Sequence, residues 1–312
     1  MNEKLNLLLS QLSSVIYGKE KECRLTLCAL LAGGDLLVED VPGVGKTTLA
    51  LALAQSLDLS FGRIQFTPDT LPGDVTGYST IDLRTGALEF HKGPVMHNIV
   101  LADEINRTSP KTQASLLEVM AERQVTAEGK TYPLPQPFMV IATENPIEFA
   151  GTYHLPEAQL DRFLMRISMG YPGEDDEIRM LRTHLASAQQ APLKPVLTGP
   201  EVLALQKEAE QVLVSDKILS YIVRIAAETR QSKNLTLGAS PRAAIALSRC
   251  ARAWAMLEGR DYVTPEDVQA VAQPVLAHRL VLSLDAGMKS ITAADALREC
   301  MSLVAAPPVI RA

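Results

Sequence analysis

Leu36-Leu37-Val38-Glu39-Asp40-Val41-Pro42-Gly43-Val44-Gly45-Lys46-Thr47-Thr48 carries a short apolar run into a glycine-rich turn, and a helix-spaced segment follows to Leu57. Leu36–Glu39 reads as a strand and Lys46–Leu57 as a helix. Glycines in such a turn let backbone N–H groups face one side, and the helix N-terminus adds partial positive charge there. The arrangement suits a phosphate chain, which makes ATP and Mg²⁺ the expected cofactors. Lys46 would reach the β- and γ-phosphates, and the Thr47 hydroxyl would ligate Mg²⁺. Pro42, Gly43, Val44, Gly45 and Thr48 complete the cradle. The strict phosphate-loop pattern asks for glycine at position 40, where this chain has Asp40. That outermost position faces the nucleotide least, so tolerance is expected.

From residue 35 onward, short apolar strands alternate with helices, the pattern of an α/β fold with a parallel sheet. Further strands are expected at Arg63–Phe66, Ile99–Ala102, Phe138–Thr143 and Leu164–Ser168. A helix runs from Pro110 to about Glu122, with Ser109 as N-cap and proline in the first turn. Two stretches interrupt the alternation: residues 68–94, rich in Pro, Gly and Asp, and residues 124–136, which read as a hairpin turning near Gly129-Lys130. Insertions of this kind often carry function. Residues 1–185 thus form the α/β unit, and the small, polar, proline-containing residues 186–199 form a linker. Residues 200–312 form a small all-α unit, with helices at Glu201–Val214, Lys217–Gln231, Pro241–Glu258, Pro265–Ala277 and one from Ala293. Thr264-Pro-Glu-Asp267 and Thr292-Ala-Ala-Asp295 are capping-box starts.

The apolar spacing of Leu5, Leu8, Leu9, Leu12, Val15 and Ile16 gives an amphipathic helix that packs on a core, not a secretory segment. No uncharged run is long enough to span a membrane, and the four cysteines lack metal-site spacing. These read as free thiols in a reducing compartment, so a cytoplasmic location is expected. A net charge of −6 disfavours a general nucleic-acid binder, which would show a basic footprint.

Ile99-Val-Leu-Ala-Asp103-Glu104 is an apolar strand ending in two acids, and open α/β sheets bind ligands at the carboxyl ends of their strands. Asp103 would hold the Mg²⁺ shell, and Glu104 would polarise the attacking water. The next strand ends at Ile141-Ala-Thr-Glu-Asn145-Pro146, so Asn145 is either a sensor of the γ-phosphate or simply a turn opener. Arginines are needed to offset charge on the transferred phosphoryl group. Arg162, in Leu160-Asp-Arg-Phe163, and Arg242, following Ser240-Pro241, are the candidates. Each also fits an ordinary surface ion pair.

Taken together these residues resemble the MoxR family of AAA+ ATPases. The matching motifs, in order, are Leu37-Val-Glu-Asp-Val-Pro-Gly-Val-Gly-Lys-Thr47, Leu101-Ala-Asp-Glu-Ile-Asn-Arg107, Ala142-Thr-Glu-Asn-Pro-Ile-Glu148, Leu155-Pro-Glu-Ala-Gln-Leu-Asp-Arg-Phe163 and Gly238-Ala-Ser-Pro-Arg242. They span most of the chain, and Asp40 at the first glycine position is usual in that family. The resemblance implies a P-loop NTPase core of AAA+ type followed by an all-α lid. It implies Asn145 as sensor 1, Arg162 as an arginine finger acting on a neighbour's ATP, and Arg242 as sensor 2. It makes 68–94 the helix-2 insert and 124–136 the hairpin before sensor 1. Ile16-Tyr17-Gly18 would lie near adenine, and Gln65 would restrain Glu104 until a partner docks. Family members form hexamer-type rings, work beside proteins with von Willebrand factor A domains, and act as chaperone-like remodellers or metal-insertion helpers. The alternative is a ring motor acting on nucleic acid, for which the chain offers no zinc module or basic run. A GTP switch is disfavoured because no Asn-Lys-x-Asp signature is present.

Overall fold

The computed structural model describes residues 3–41, 43–145, 153–185 and 193–308. Pro42, residues 146–148 of the fourth-strand motif and residues 186–192 of the expected linker lie outside the described residues.

At the centre is a five-stranded parallel sheet of β1 (Leu36–Glu39), β2 (Phe61–Gln65), β3 (Ile99–Asp103), β4 (Met139–Glu144) and β5 (Met165–Ile167). The strands lie in the order β2-β3-β4-β1-β5. Each strand falls within two residues of its expected position. Successive side chains of a strand point to opposite faces, and the two halves of the core follow that alternation. Leu36, Val38, Ile99, Leu101, Met139 and Ile141 pack with Leu49 and Leu53 of the Lys46–Ser56 helix and with the N-terminal helices. Leu37, Val100, Ala102, Val140 and Ala142 pack with Leu116, Leu117 and Phe163 on the other side. Buried on both faces, the central strands are continuous apolar runs, as parallel sheets require. The order of the strands reverses beside β1, which opens a crevice at the carboxyl end of that strand.

The Glu3–Val15 helix buries Leu5, Leu8, Leu9 and Leu12, as their spacing demands. A second helix, Glu20–Leu31, has no counterpart in the expected elements. Beyond its polar first turn it is enclosed: Cys23 and every residue from Leu25 to Leu31 are buried. A helix enclosed all round shows no apolar stripe to read. It packs against the Gly199–Gln211 and Pro241–Leu257 helices, and so joins the α/β unit to the C-terminal helices. The Glu174–Leu185 helix was also unanticipated; its first turn is acidic, with Glu174, Asp175, Asp176 and Glu177.

The 68–94 stretch contains a short helix, Pro72–Thr76, and an antiparallel hairpin of Gly77–Ile81 with Leu88–Lys92. The expected second hairpin pairs Gln124–Ala127 with Lys130–Pro133. Phe90 stacks on Tyr132 at a centroid distance of 4.4 Å, so the two insertions brace each other.

Residues 193–198 differ from the loose tether expected. Leu197 is buried, the Val196 N–H donates to the Ser56 carbonyl at 2.8 Å, and Gln11 Nε2 donates to the Lys194 carbonyl at 3.0 Å. Apolar residues in a proline-containing stretch found a groove beside the Lys46–Ser56 helix. The C-terminal helices are Gly199–Gln211, Asp216–Gln231, Pro241–Leu257, Pro265–Leu276 and Ala293–Leu303. The expected capping boxes form at Thr264/Asp267 and Thr292/Asp295. The all-helical expectation misses one small antiparallel pair, Leu235–Leu237 with Val281–Leu282, whose strands are too short to show periodicity. Among the described residues no helix is long and apolar enough to cross a membrane, and all four cysteines are buried free thiols.

Candidate nucleotide-binding site

Beyond Glu39 the chain leaves the sheet through Asp40, whose carboxylate accepts from the Val41 N–H at 2.8 Å, the Ser168 hydroxyl at 3.0 Å and the Gly170 N–H. Burial alone would raise this carboxyl, but the Gly170, Val41 and Ser168 donors outweigh it and hold Asp40 below the usual carboxylate range. Asp40 therefore ties the mouth of the loop to the segment after β5. Gly43 and Gly45 take φ of 86° and 92°, left-handed values that an L side chain rarely adopts. Gly45 is the N-cap of the Lys46–Ser56 helix. Lys46 is buried, and its ammonium donates to the Asp40 carbonyl at 2.7 Å and the Glu144 carbonyl at 3.5 Å, between the tips of β1 and β4. Thr47 is half-buried and Thr48 exposed on the first turn of the same helix.

The acid pair sits at the end of β3, and Thr143 of β4 organises it. The Thr143 hydroxyl donates to Asp103 Oδ1 at 2.7 Å and accepts from the Glu104 N–H at 2.8 Å. Asp103 Oδ2 accepts from Arg63 at 2.8 Å. Glu104 has φ 58° and ψ 52°, a left-handed conformation that costs a non-glycine residue roughly 1–3 kcal/mol. Its carboxylate accepts from Gln65 Nε2 and from Arg107 Nη1, both at 2.9 Å. Asn145 is buried one residue beyond β4, its carbonyl accepting from Asn106 Nδ2 at 3.2 Å. Because Thr143, Glu144 and Asn145 are consecutive, Lys46, Asp103, Glu104 and Asn145 all converge on the tip of β4. Glu144 is pushed up to about 7 by burial and by Glu39 beside it on β1, with Arg166 opposing. Thr143 and Gln65 gave no signal of their own in the apolar strand pattern, since a threonine or glutamine at a strand end fits a half-buried surface equally well.

Beside the loop lies a cavity of about 310 Å³, near the lower bound for ligand pockets. Ile16, Tyr17, Gly43, Val44, Gly45 and Thr48 line one side, and Tyr171, Met180 and Leu181 the other. Ile16 is also buried in the core. Gly18 does not line the cavity. It turns the chain at φ 68°, and a Cβ there would come 2.1 Å from an Asp176 carboxylate oxygen. The Tyr17 hydroxyl is 3.4 Å from Thr183 Oγ1, and the Arg179 guanidinium lies over the Tyr17 ring at 5.1 Å. Sequence reasoning missed Met180 and Leu181 because their helix was not anticipated, and Tyr171 because it lies in the irregular segment leading into that helix.

Arg162 and Arg242 are not brought to this site. They line a separate cavity of about 300 Å³ with Gly34, Asp35 and Leu164, the residues that precede β1 and β5. That is the amino end of the sheet, a strand length of about 13 Å from the phosphate loop at 3.3 Å per residue. Arg162 Nη1 donates to the Leu117 carbonyl at 2.6 Å, while Arg242 Nε lies 3.6 Å from Asp161 with 63% of its side chain exposed.

Residues 35–165 match the model of the ATPase family associated with various cellular activities (AAA), and residues 227–300 match the AAA lid domain. The chain is 50% identical to the uncharacterized protein YeaC of Bacillus subtilis, over 95% of this chain and 92% of the relative. It is 41% identical to Chaperone MoxR1 of Mycobacterium tuberculosis, over 96% of this chain and 81% of that protein. A solved structure of a candidate ATPase from Cytophaga hutchinsonii superposes with a TM-score of 0.91 at 37% identity, covering 98% of this chain and 96% of that one. Similarity of this extent, running through sheet, loop and lid alike, means that the chain belongs to the MoxR family of AAA+ ATPases.

Proposed function

We propose that the chain hydrolyses Mg-ATP at the interfaces of a homo-oligomeric ring, a hexamer, and couples turnover to remodelling of a partner protein complex. One observation carries this reading. Lys46, Asp103 and Glu104 sit at carboxyl ends of strands and Arg162 and Arg242 at the amino end, so the arginines can meet a phosphate only on a second copy. Head-to-tail contacts of this kind form a ring when the rotation between copies closes.

The donor set fits a magnesium triphosphate. Among the described residues, none beyond the glycine's own chain neighbours comes within 4 Å of where a Cβ on Gly43 would stand, one ammonium faces the loop, and Thr47 and Asp103 offer the hard oxygen ligands Mg²⁺ prefers. Bound Mg²⁺ supplies charge neutralisation on the β- and γ-phosphate oxygens. Lys46 binds those phosphates, and Thr47 and Asp103 hold the ion. Glu104 orients the attacking water and takes its proton, with Asn145 positioning it from β4. Arg162 and Arg242 arrive from the neighbour to offset charge on the transferred group. Adenine occupies the cavity lined by Ile16 and Tyr17, with Gly18 turning the chain just outside it. Gln65 holds Glu104 aside until a partner docks.

The relative named Chaperone MoxR1 supports a chaperone-like role. So do Ile81, Leu83 and Leu88, exposed apolar residues on the 68–94 insertion that suit contact with a client protein. The family resemblance adds a von Willebrand factor A domain protein as partner.

Mixing two variants tests the trans reading. Glu104→Gln should keep ATP binding and lose turnover. Arg162→Ala should keep ATP binding and lose at least about 10³-fold in turnover. Reassembled together they should regain part of the activity, because the first lends its arginines to the intact acids of the second. A mixture no more active than its components contradicts the reading.

A further inference from the structure

Immediately after the Pro265–Leu276 helix, the Ala277–Arg279 turn of the lid reaches across to the segment that carries Arg162. The Arg279 side chain is only 4% exposed, so it cannot touch a nucleotide from a neighbouring copy. Its guanidinium donates through Nε to Asp161 Oδ1 at 2.7 Å, and through Nη2 to the Phe163 carbonyl at 2.6 Å and the Asp161 carbonyl at 3.3 Å. Nη1 donates to the Leu164 carbonyl at 3.2 Å and to the Val275 carbonyl at the end of the Pro265–Leu276 helix. His278 Nε2 adds a contact to the Phe163 carbonyl at 3.2 Å. The carbonyls on either side of Arg162 are thus gripped by one buried fork of donors, a geometry that a lysine ammonium cannot reproduce. The other oxygen of Asp161 faces Arg242 at 3.6 Å. One carboxylate therefore sits between a buried arginine and an exposed one.

We infer that Arg279 is a positioning residue, which locks the Asp161–Leu164 segment to the lid so that Arg162 and Arg242 are presented to the adjacent subunit as one rigid pair. The inference rests on the trans reading proposed above. It makes the lid and the finger a single body: a shift of the lid moves the arginines offered to the next site. A buried arginine that merely fastened lid to core would have a different signature, because its loss would damage the whole subunit, nucleotide site included.

The test uses R279K and R279M in the full chain, each measured for thermal unfolding, ATP affinity, kcat and KM, and each reassembled with Glu104→Gln subunits. R279K is expected to fold, to keep ATP affinity and KM, and to lose about a hundredfold in kcat, the penalty typical of a catalytic group displaced by an ångström. Reassembly with Glu104→Gln should restore turnover at roughly a quarter of interfaces, those pairing an intact acid site with an intact finger by chance. An Arg162→Ala mixture with Glu104→Gln serves as the reference. If R279M does not fold, R279K decides. Unchanged kcat in R279K overturns the inference, as does collapse of folding in both variants. Rescue of the Arg162→Ala mixture without rescue of the R279K mixture overturns it while sparing the trans reading. If neither mixture is rescued, both fall.

Discussion

Asp40 stands where the strict phosphate-loop pattern has glycine, and its three hydrogen bonds give the position a task that glycine cannot perform. Asp40→Gly, although it completes the pattern, should therefore weaken nucleotide binding by about tenfold, equivalent to the 1.4 kcal/mol within reach of one charged hydrogen bond. Titration with a fluorescent ATP analogue reads this; equal or tighter binding contradicts it. That Lys46, Asp103 and Glu104 converge at strand ends was legible because the glycine-rich turn and the apolar strand ending in two acids both mark the carboxyl edge of the sheet. The partners of Asp40 were not, since Ser168 and Gly170 are remote in sequence and neither is unusual by type. The same holds for Thr143, which reads as an ordinary strand residue until Asp103 and Glu104 are seen around it.

The Glu144 carboxyl is raised from 4.5 to about 7 by burial first and Glu39 second. A carboxyl raised in the folded state contributes stability that is complete below its unfolded pKa and lost as pH climbs through the folded one. The window is thus about 4.5 to 7. Glu144→Gln should flatten the decline of unfolding free energy across it and stabilise the protein at pH 8 by on the order of 2 kcal/mol, allowing for partial solvation. Urea unfolding at pH 5 and pH 8 measures this, and an unchanged slope contradicts it.

Among the elements, those with a cap, a capping box or a short continuous apolar run announced themselves. The Pro110–Glu122 helix has its cap and proline, the core strands their apolar runs, and the C-terminal helices their capping boxes. The Glu20–Leu31 helix did not, because burial between two layers removes the alternation on which periodicity depends. The Glu174–Leu185 helix escaped because it is largely polar, yet it closes the cavity beside the phosphate loop through Met180 and Leu181. The 193–198 segment read as a tether and is in fact pinned along the Lys46–Ser56 helix. Each miss concerns a surface that only the folded chain creates.

For the whole molecule, the consequence of the fold is a division of labour between its two ends. Lys46, Asp103 and Glu104 gather where the strands finish, Arg162 and Arg242 where they begin, and the sheet lies between. Neither end hydrolyses ATP alone in this account. The most direct check is ATP turnover per subunit of the unaltered protein across a dilution series, with assembly state followed by sedimentation at the same concentrations. Turnover should fall in step with the loss of oligomer and approach zero for the monomer. A monomer that turns over ATP as fast as the assembled protein would contradict the account.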